Sequence, residues 1–542
     1  MASTWIIRVL SDKNESSWKY RGEGAANAVV AYTGPDKDLA GKVLRIQKAG
    51  VKKARPPEPQ RFRLSAHFDL NIQNETDSGE AGKLQPVDSA SVGSGGVGKV
   101  SSPLLNGSPL RHQKVGGGRA NGVEAAPLVD EIEDTSKPDI PEREVSAGPL
   151  LEPLEQEIWA RFPTVAAAKT AVELVHEYAR HVMGPLLGEA FVDPGVPVPA
   201  EDDFLKSLTA VVEGSRPGRW QKEGPLRLQS GWALLITDHA ASPGETFALA
   251  NGQEGGSFQR RGPSVCVEIK PKAGFLPTSE CISPANRVKL EKTRYELMQH
   301  LKAEQGKVDA ISSYDPLDLF SMHPSHVIRA IDSLFDNPQN NLRVFINGEA
   351  IKRTSRESSE DTGALAGLEE ALEGFCETAD GLRVEVLKEL LVQRLAGSIL
   401  LERLRSAQML DRFDIEGVIH LYWALCGSPS DRVAPKELPD ATKRLLSLPR
   451  ESQLDVLREF LIAATAKDCG LMLTFEAVEE EVAQQFRFSE ASPTGVLKLR
   501  GKSYFCKVAY VDLDLKSFRK IPKYWELDQQ IVAAYKTGTQ EV

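Results

Sequence analysis

The feature that most limits how this chain can fold is a long stretch with nothing to fold with. Between residues 54 and 150 the sequence turns to Pro, Ser, Gly and scattered charge (SASVGSGGVGKVSSP, KVGGGRANGVEAAP), with few aromatic residues and no sustained period. Such a composition cannot bury a core, so 54–150 reads as a disordered insertion. A fold must be assembled from residues 1–53 and from the chain after 150. The remainder suffices, because 542 residues allow roughly three to four domain equivalents of about 150. Apolar residues at 41% and charged residues at 26% are ordinary globular usage.

Composition also excludes several classes. Six cysteines stand singly, with no CxxC pair, which points to reduced intracellular thiols. No apolar run approaches the eighteen or so residues of a membrane span, and WIIRVL at the N-terminus is too short for a signal peptide. A cytoplasmic monomer is expected, with KKARPPEPQRFR near 52–63 as a weak nuclear signal. The formal charge of −10 argues against a nucleic-acid partner.

The first segment reads as strands and turns. Residues 20–27 (YRGEGAAN) are a small-residue loop, followed by an apolar run at 28–32, a Thr33-Gly34-Pro35-Asp36 turn and a strand at 41–48. The pattern is a glycine-tipped hairpin. After the insertion, Val172, Val175, Ala179 and Val182 follow helical spacing in a helix expected to end before Gly184-Pro185. Residues 232–236 and 265–269 read as buried strands. Helical patterns cover 286–303, 323–336, 364–425 and 448–466. LMLTF (471–475) and YFCKVAYVDLDL (504–515) read as strands before an amphipathic helix at 524–535. The chain is therefore α+β, with helix dominating its later part.

Several positions can carry chemistry. Gly22 and Gly24, with Ala25 and Ala26, leave backbone N–H groups uncovered, as a loop over nucleotide phosphates requires. A plain hairpin turn is the commoner reason for such glycines. Strand alternation sets Arg45 with Val43 and Gln47, opposite Leu44 and Ile46, where protein kinases hold a phosphate-binding lysine. Taken alone it reads more readily as a surface arginine. In VCVEIKPK (265–272), period two separates Val265, Val267 and Ile269 from Glu268, Lys270 and Lys272. Two lysines roughly 6.6 Å apart beside a carboxylate suit a polyphosphate, and equally suit a solvated edge.

Arg294 and Lys302 share a broad side of a helix, and Asn340, Asn341 and Arg343 open strand LRVFI after a proline turn; a solvated face and an asparagine turn explain them as well. Asp468, between helix FLIAATA and strand LMLTF, sits where a general base can point into a cleft. Asp512, Asp514 and Lys516 share a face by alternation, either as a hard-cation ligand site or as a charged strand end. The order of glycine loop, basic strand residue, hinge-like strand and two separated aspartates resembles a two-lobed kinase. HRD and DFG are missing, which disfavours an ordinary protein kinase.

The blocks RGEGAAN, GKVLRIQK, VEIKPKAGFLPTS, SYDPLDLFS, PQNNLRVFINGE, DIEGVIH, LIAATAKDCGLM and VDLDLKSFRKIPKYWELDQQIVAAY then resemble one family, the inositol-pentakisphosphate 2-kinases, most closely the plant type. They occur in the family's order from residue 20 to 536. The resemblance implies a two-lobed kinase-like fold. Its smaller strand-rich N-terminal lobe would take residues 1–53 and, with the hinge, 151–240. Its larger mixed C-terminal lobe with helical insertions would take 241–542. The implied reaction uses ATP and Mg2+ to phosphorylate the 2-hydroxyl of inositol 1,3,4,5,6-pentakisphosphate, giving the hexakisphosphate (phytate).

By position, the resemblance implies that Gly24, Asn27 and Arg45 hold ATP, with Asp238 and His239 at the adenine hinge and Glu268 near the ribose. It sets Lys270 beside the transferred phosphoryl, Asp468 as base and Asp512 on magnesium. Arg219, Lys272, Arg294, Lys302, Asn340, Asn341, Arg343, Lys516, Lys520 and Tyr524 would grip the inositol phosphates. A substrate with five phosphates does need many Lys and Arg donors.

Departures from the family pattern are Thr237 for a hinge asparagine, the order Arg219-Trp220, Gly50 for an arginine (with Lys52 and Lys53 nearby) and Lys520 for an arginine. His420 matches a zinc ligand of plant members, but Cys426-Gly427-Ser428-Pro429-Ser430 has lost the second cysteine and the second histidine is missing, so no structural zinc is expected. The rivals are a non-catalytic inositol-phosphate sensor or scaffold and a kinase for another inositol polyphosphate. A pure binder has no need of two acids beside a polyanion.

Overall fold

The strand segments assemble into two antiparallel sheets in a computed structural model describing residues 15–24, 26–49, 149–222, 224–241, 262–351, 365, 367–378, 381–427, 438–484 and 489–540. All of these belong to the compact unit made of Met1–Gly50 and Ile132–Val542. Gly50, Lys52, Lys53, nearly all of the 54–150 insertion and residues 428–430 lie outside the described residues.

The first sheet starts as a meander of β1 (Trp18–Glu23), β2 (Asn27–Tyr32) and β3 (Lys42–Lys48), and is completed by β4 (Val196–Ala200) and β5 (Leu228–Thr237) in the order β1-β2-β3-β5-β4. The glycine-tipped hairpin forms as expected: the Gly24 N–H donates to the Asn27 carbonyl at 2.9 Å. β4 carries Pro197 and Pro199 and lies at the edge, where a residue without an N–H is tolerated. The second sheet contains β6 (Val265–Ile269), β7 (Leu342–Ile346), β8 (Glu349–Ala350), β9 (Gly470–Val478), β10 (Thr494–Leu499) and β11 (Lys502–Val511), ordered β10-β11-β9-β6-β7-β8. β6 lies inside this sheet and is buried at all five positions, so the solvated-edge reading of VCVEIKPK is wrong.

Six helices matter for the site: α1 (Ala171–Tyr178), α2 (Asp202–Glu213), α3 (Arg294–Glu304), α4 (Asp414–Cys426), α5 (Arg450–Asp468) and α6 (Ile521–Gln540). α2 buries Phe204, Leu205, Leu208 and Val212, one helical stripe, against Leu44, Ile46, Val198 and Ala233 of the first sheet. A larger core packs β6, β7, β9 and β11 against α4, α5 and the helices Arg383–Leu395 and Ile399–Gln408. The two sheets thus have separate apolar cores among the described residues.

Four local expectations are corrected. The helix does not stop before Gly184-Pro185: Ala179–Met183 form a π turn and Gly184–Leu187 continue it. The widened turn puts Pro185 in the first turn of a new segment, where its missing N–H costs nothing. The 286–303 pattern is broken into a 3-10 turn (Pro284–Leu290) and α3, because Thr293 caps α3 by accepting the Glu296 N–H at 3.2 Å. Strand 504–515 ends at Val511, since Asp512 takes φ 60°, incompatible with an extended ladder. Lys272, at φ 61°, likewise stands outside β6, so simple alternation does not place it.

Candidate active site

α5 delivers Asp468 as its last residue, and only Cys469 separates it from β9. A carboxylate at a helix C-terminus opposes the helix dipole, so it needs cations. Lys516 Nζ donates to Asp468 Oδ2 at 2.6 Å and Lys272 Nζ to Oδ1 at 3.5 Å. Burial pushes the Asp468 pKa up, but Lys516, Lys272 and Lys270 outweigh it and hold the group well below the usual carboxylate range. Lys516 is buried, which disfavours its charge, yet Asp468 raises its pKa. The turn carrying Lys272 is pinned by buried Gln408, which donates to the Lys272 carbonyl at 2.8 Å and the Ala466 carbonyl at 3.1 Å, and accepts the Gly274 N–H at 2.9 Å. Gln408 gave no sequence signal, because its role depends on three separated segments meeting.

A second pair of ion contacts adjoins the first. Lys270 Nζ lies 2.9 Å from Asp512 Oδ2; Asp512 above all raises the lysine's pKa, against burial and helped by Glu268 and Asp468. Desolvation by the crowded neighbouring charges raises the Asp512 pKa, but Lys270 and Arg45 lower it on balance despite Asp468. Arg45, paired in register between Val29 and Leu234, forks onto Asp514, with Nη1 to Oδ1 at 2.7 Å and Nη2 to Oδ2. Arg45 is therefore not a surface arginine. The Asp512 side chain is 51% exposed, and Asp514 stands two residues on. Such hard carboxylate oxygens fit Mg2+, which takes one or two carboxylates together with waters and phosphates. Asn341 supports this corner: its side chain donates to the Lys270 carbonyl at 3.1 Å and its own carbonyl accepts the Lys270 N–H at 2.8 Å.

Asp238 and His239 follow β5 directly. Asp238 is buried, accepting from Arg21 Nη2 at 2.5 Å and from the Ala240 N–H at 3.0 Å. The His239 carbonyl accepts from Thr474 at 2.8 Å; burial, with Lys507 and Lys42, drives the imidazole down to about 3 despite Asp193, so it is neutral. The Thr237 N–H donates to Asp193 at 2.9 Å. Buried Glu268 faces Arg343 across the β6–β7 ladder, Oε2 to Nη1 3.9 Å.

Lys272, Arg294, Lys302, Asn340, Asp468, Lys516 and Tyr524 line one cavity of about 390 Å3. Burial raises the Tyr524 phenol to about 12, opposed by Lys516. The sequence reading missed Lys289, Lys292, Lys307 and Lys467, which line the same cavity. Lys467 stands next to Asp468, but pairs with Asp411 at 2.5 Å and lies over the Phe275 ring. Arg343, Asn341 and Lys520 are not in the lining; Lys520 is buried in the 3-10 turn Phe518–Lys520. Gly24 is exposed in its turn, and a Cβ there would meet nothing within 4 Å. Asn27 opens β2 opposite Gln47.

The Arg219 side chain lies outside the described residues. Its helix (Gly218–Lys222) sits beside a buried knot in which Glu23 accepts from Arg216 at 2.7 Å and pairs with Lys48, whose ammonium covers Trp220. His420 stacks edge-on against Trp423 at 5.2 Å, and burial lowers its pKa. Among the described residues, the group of three acids close enough to share a cation is Asp414, Glu416 and Asp528, and Lys289 Nζ already sits within hydrogen-bond reach of all three.

A sequence profile described as inositol-pentakisphosphate 2-kinase matches residues 20–530. The chain belongs to the inositol-pentakisphosphate 2-kinase family. It is 31% identical over 532 residues to the inositol-pentakisphosphate 2-kinase of Arabidopsis thaliana, covering 97% of this chain and 95% of that one. The rice (Oryza sativa subsp. japonica) protein of the same description is 30% identical over 531 residues, with the same coverage. The zebrafish (Danio rerio) inositol-pentakisphosphate 2-kinase is 27% identical over 430 residues, covering 68% of this chain and 84% of its own. Membership makes the chain a phosphotransferase that uses ATP. No helix among the described residues is long and apolar enough to cross a membrane.

Proposed function

We propose that this chain transfers the terminal phosphoryl group of ATP to the 2-hydroxyl of inositol 1,3,4,5,6-pentakisphosphate, giving inositol hexakisphosphate. The observation that carries the reading is Asp468, an ionised carboxylate held between Lys272 and Lys516 on the wall of a cavity ringed by basic side chains, with Lys270 close by. In this reading the two sheets belong to the two lobes of a kinase-like fold, with 1–53 and 193–240 in the smaller and 241–542 in the larger; residues 151–192, expected in the smaller lobe, bury their apolar side chains in the core of the second sheet instead.

The roles follow from the chemistry. Asp468 orients the acceptor hydroxyl and receives its proton. Its lowered pKa makes it a weak base while both lysines are bound to it. Acceptor phosphates that draw Lys516 and Lys272 away strengthen it, so the base is switched on by its own substrate. A loose phosphoryl-transfer transition state needs little early proton removal, so positioning and charge matter more. Lys270 and Arg45 neutralise charge on the transferred group, exchanging Asp512 and Asp514 for phosphate oxygens. Asp512 would hold Mg2+, which would supply positive charge to offset that of the phosphates. Asp238 and His239 present the hinge to adenine, and Glu268 takes the ribose. Lys272, Arg294, Lys302, Asn340, Lys516 and Tyr524, which line the cavity, grip the acceptor's phosphates; Arg219, Asn341, Arg343 and Lys520 are assigned to the same set by the family resemblance alone.

Incubation with magnesium-ATP and a panel of inositol polyphosphates, resolved by anion exchange, tests the reading. Hexakisphosphate from the 1,3,4,5,6-pentakisphosphate is the expected product. Binding without any product transfers the case to the scaffold reading, and faster turnover of another acceptor to the alternative kinase.

A further inference from the structure

The cavity that would receive a polyanion has carboxylates in its wall. Asp414 and Asp528 line it together with Lys272, Lys302 and Lys516. An acid beside a bound polyphosphate is repulsive unless it is neutralised and used. Asp528 is both. Its side chain is 2% exposed, with Oδ2 on Lys289 Nζ at 2.7 Å and Oδ1 on Arg294 Nη1 at 2.5 Å. Lys289, itself buried, also donates to Asp414 at 2.5 Å and Glu416 at 3.3 Å. Glu416 is tied down in turn by the Ser283 N–H at 2.9 Å and the Asn286 side chain at 3.1 Å. A chain of charge contacts therefore runs from the fixed start of α4, where Asp414 adopts φ 58°, through Lys289 and Asp528 on α6, to the guanidinium of Arg294.

Arg294 is the residue that needs such support. It is the first residue of α3, its side chain is 39% exposed, and a cation at a helix N-terminus opposes the dipole. Left alone, a long arginine side chain samples many rotamers, and fixing it costs conformational entropy. Asp528 also stands one helical turn after Tyr524, so both face the same side of α6 and the cavity. A buried ion cluster is poor value as a source of stability, which leaves geometry as the reason for this one.

We propose that Asp528, clamped by Lys289, is a positioning residue that aims the Arg294 guanidinium at a phosphate of the acceptor. The inference rests on the reading that Arg294 binds acceptor phosphate. Asp528 itself does not touch substrate; one oxygen is spent on the buried lysine and the other on the arginine.

The test is a double-mutant cycle on the full chain: wild type, Asp528→Asn, Arg294→Ala and the pair. Circular dichroism and thermal melts check folding. KM and kcat are measured with pentakisphosphate as the varied substrate, and calorimetric Kd values are measured on the same four proteins, so the cycle can be read even without turnover. Arg294→Ala is expected to weaken pentakisphosphate binding by about tenfold, the size of one charge-assisted hydrogen bond. Asp528→Asn is expected to raise KM by about three- to tenfold with kcat within about twofold, and to add less than about twofold once Arg294 is gone. An equal rise in both backgrounds overturns the proposal, because a structural defect does not depend on Arg294. If the asparagine variant is unfolded, Asp528→Glu takes its place: it keeps the buried charge, moves the carboxylate by one methylene, and is expected to weaken binding only when Arg294 is present. If Arg294→Ala binds pentakisphosphate as wild type does, the placement of Arg294 on substrate fails and this proposal falls with it. Whether hexakisphosphate forms is a separate outcome and tests the activity alone.

Discussion

Replacing Asp468 by asparagine separates chemistry from binding more sharply than any other single change. The substitution keeps the shape of the side chain at the end of α5 but removes the charge that Lys516 and Lys272 hold at 2.6 and 3.5 Å. Two consequences of opposite sign follow. Loss of the proton acceptor and of hydroxyl orientation should lower kcat by ~100-fold or more. Loss of a negative charge near the acceptor's phosphates removes a repulsion of ~1–3 kcal/mol, for charges about 5 Å apart at effective dielectric constants between that of water and about 20. It also releases both lysines to the substrate. Pentakisphosphate should therefore bind as tightly as to wild type, or several-fold more tightly. Hexakisphosphate formation by anion exchange gives kcat, and calorimetry gives Kd. Turnover within about tenfold of wild type refutes the base assignment. A Kd that weakens in step with kcat would show instead that Asp468 holds the site together rather than acting in transfer.

The same carboxylate links stability to pH. Asp468 and Asp512 both have folded-state pKa values below 3.8, so their contribution is complete above that value and is lost as pH falls through the folded values. Thermal melts from pH 6 to 2 should show Tm falling below about pH 4, with a shallower fall for Asp468→Asn; identical slopes would remove Asp468 from the acid transition. Arg45→Ala should raise KM for ATP by about tenfold while leaving KM for pentakisphosphate within about threefold, which steady-state kinetics with each substrate varied can check. Asp512→Asn should raise the Mg2+ concentration for half-maximal activity by at least about tenfold, and an unchanged magnesium titration would move the metal elsewhere.

Most of the basic residues around the candidate site were legible as residues and illegible as a site. Lys270 and Lys272 were visible because period two set them apart from Val265, Val267 and Ile269. Whether β6 was an edge or a central strand could not be read, since that depends on β9 and β7 pairing to either side. Arg45 looked like a surface residue because its partner Asp514 is 469 positions away. Alternation places Asp512 and Lys272 on extended strands, whereas both adopt positive φ, where they reach Lys270 and Asp468. Lys289, Asp528 and Gln408 carried no signal at all, as a buried charge or amide is recognisable only once its partners surround it.

By itself the sequence determined the alternation of strand and helix, the hairpin at 20–32, the change of composition at 54–150 and the family to which the chain belongs, because these rest on local propensity, composition and motif order. Only the tertiary structure decided which charges meet. Coulombic pairing falls off over a few ångströms, and the partners come from α3, α5, α6, β3 and the segment after β11, which are remote in sequence. The order of residues thus announces a phosphate-handling chain, while the packing of two sheets and three helices makes Asp468 an ionised acid between lysines and turns Arg294 toward the cavity.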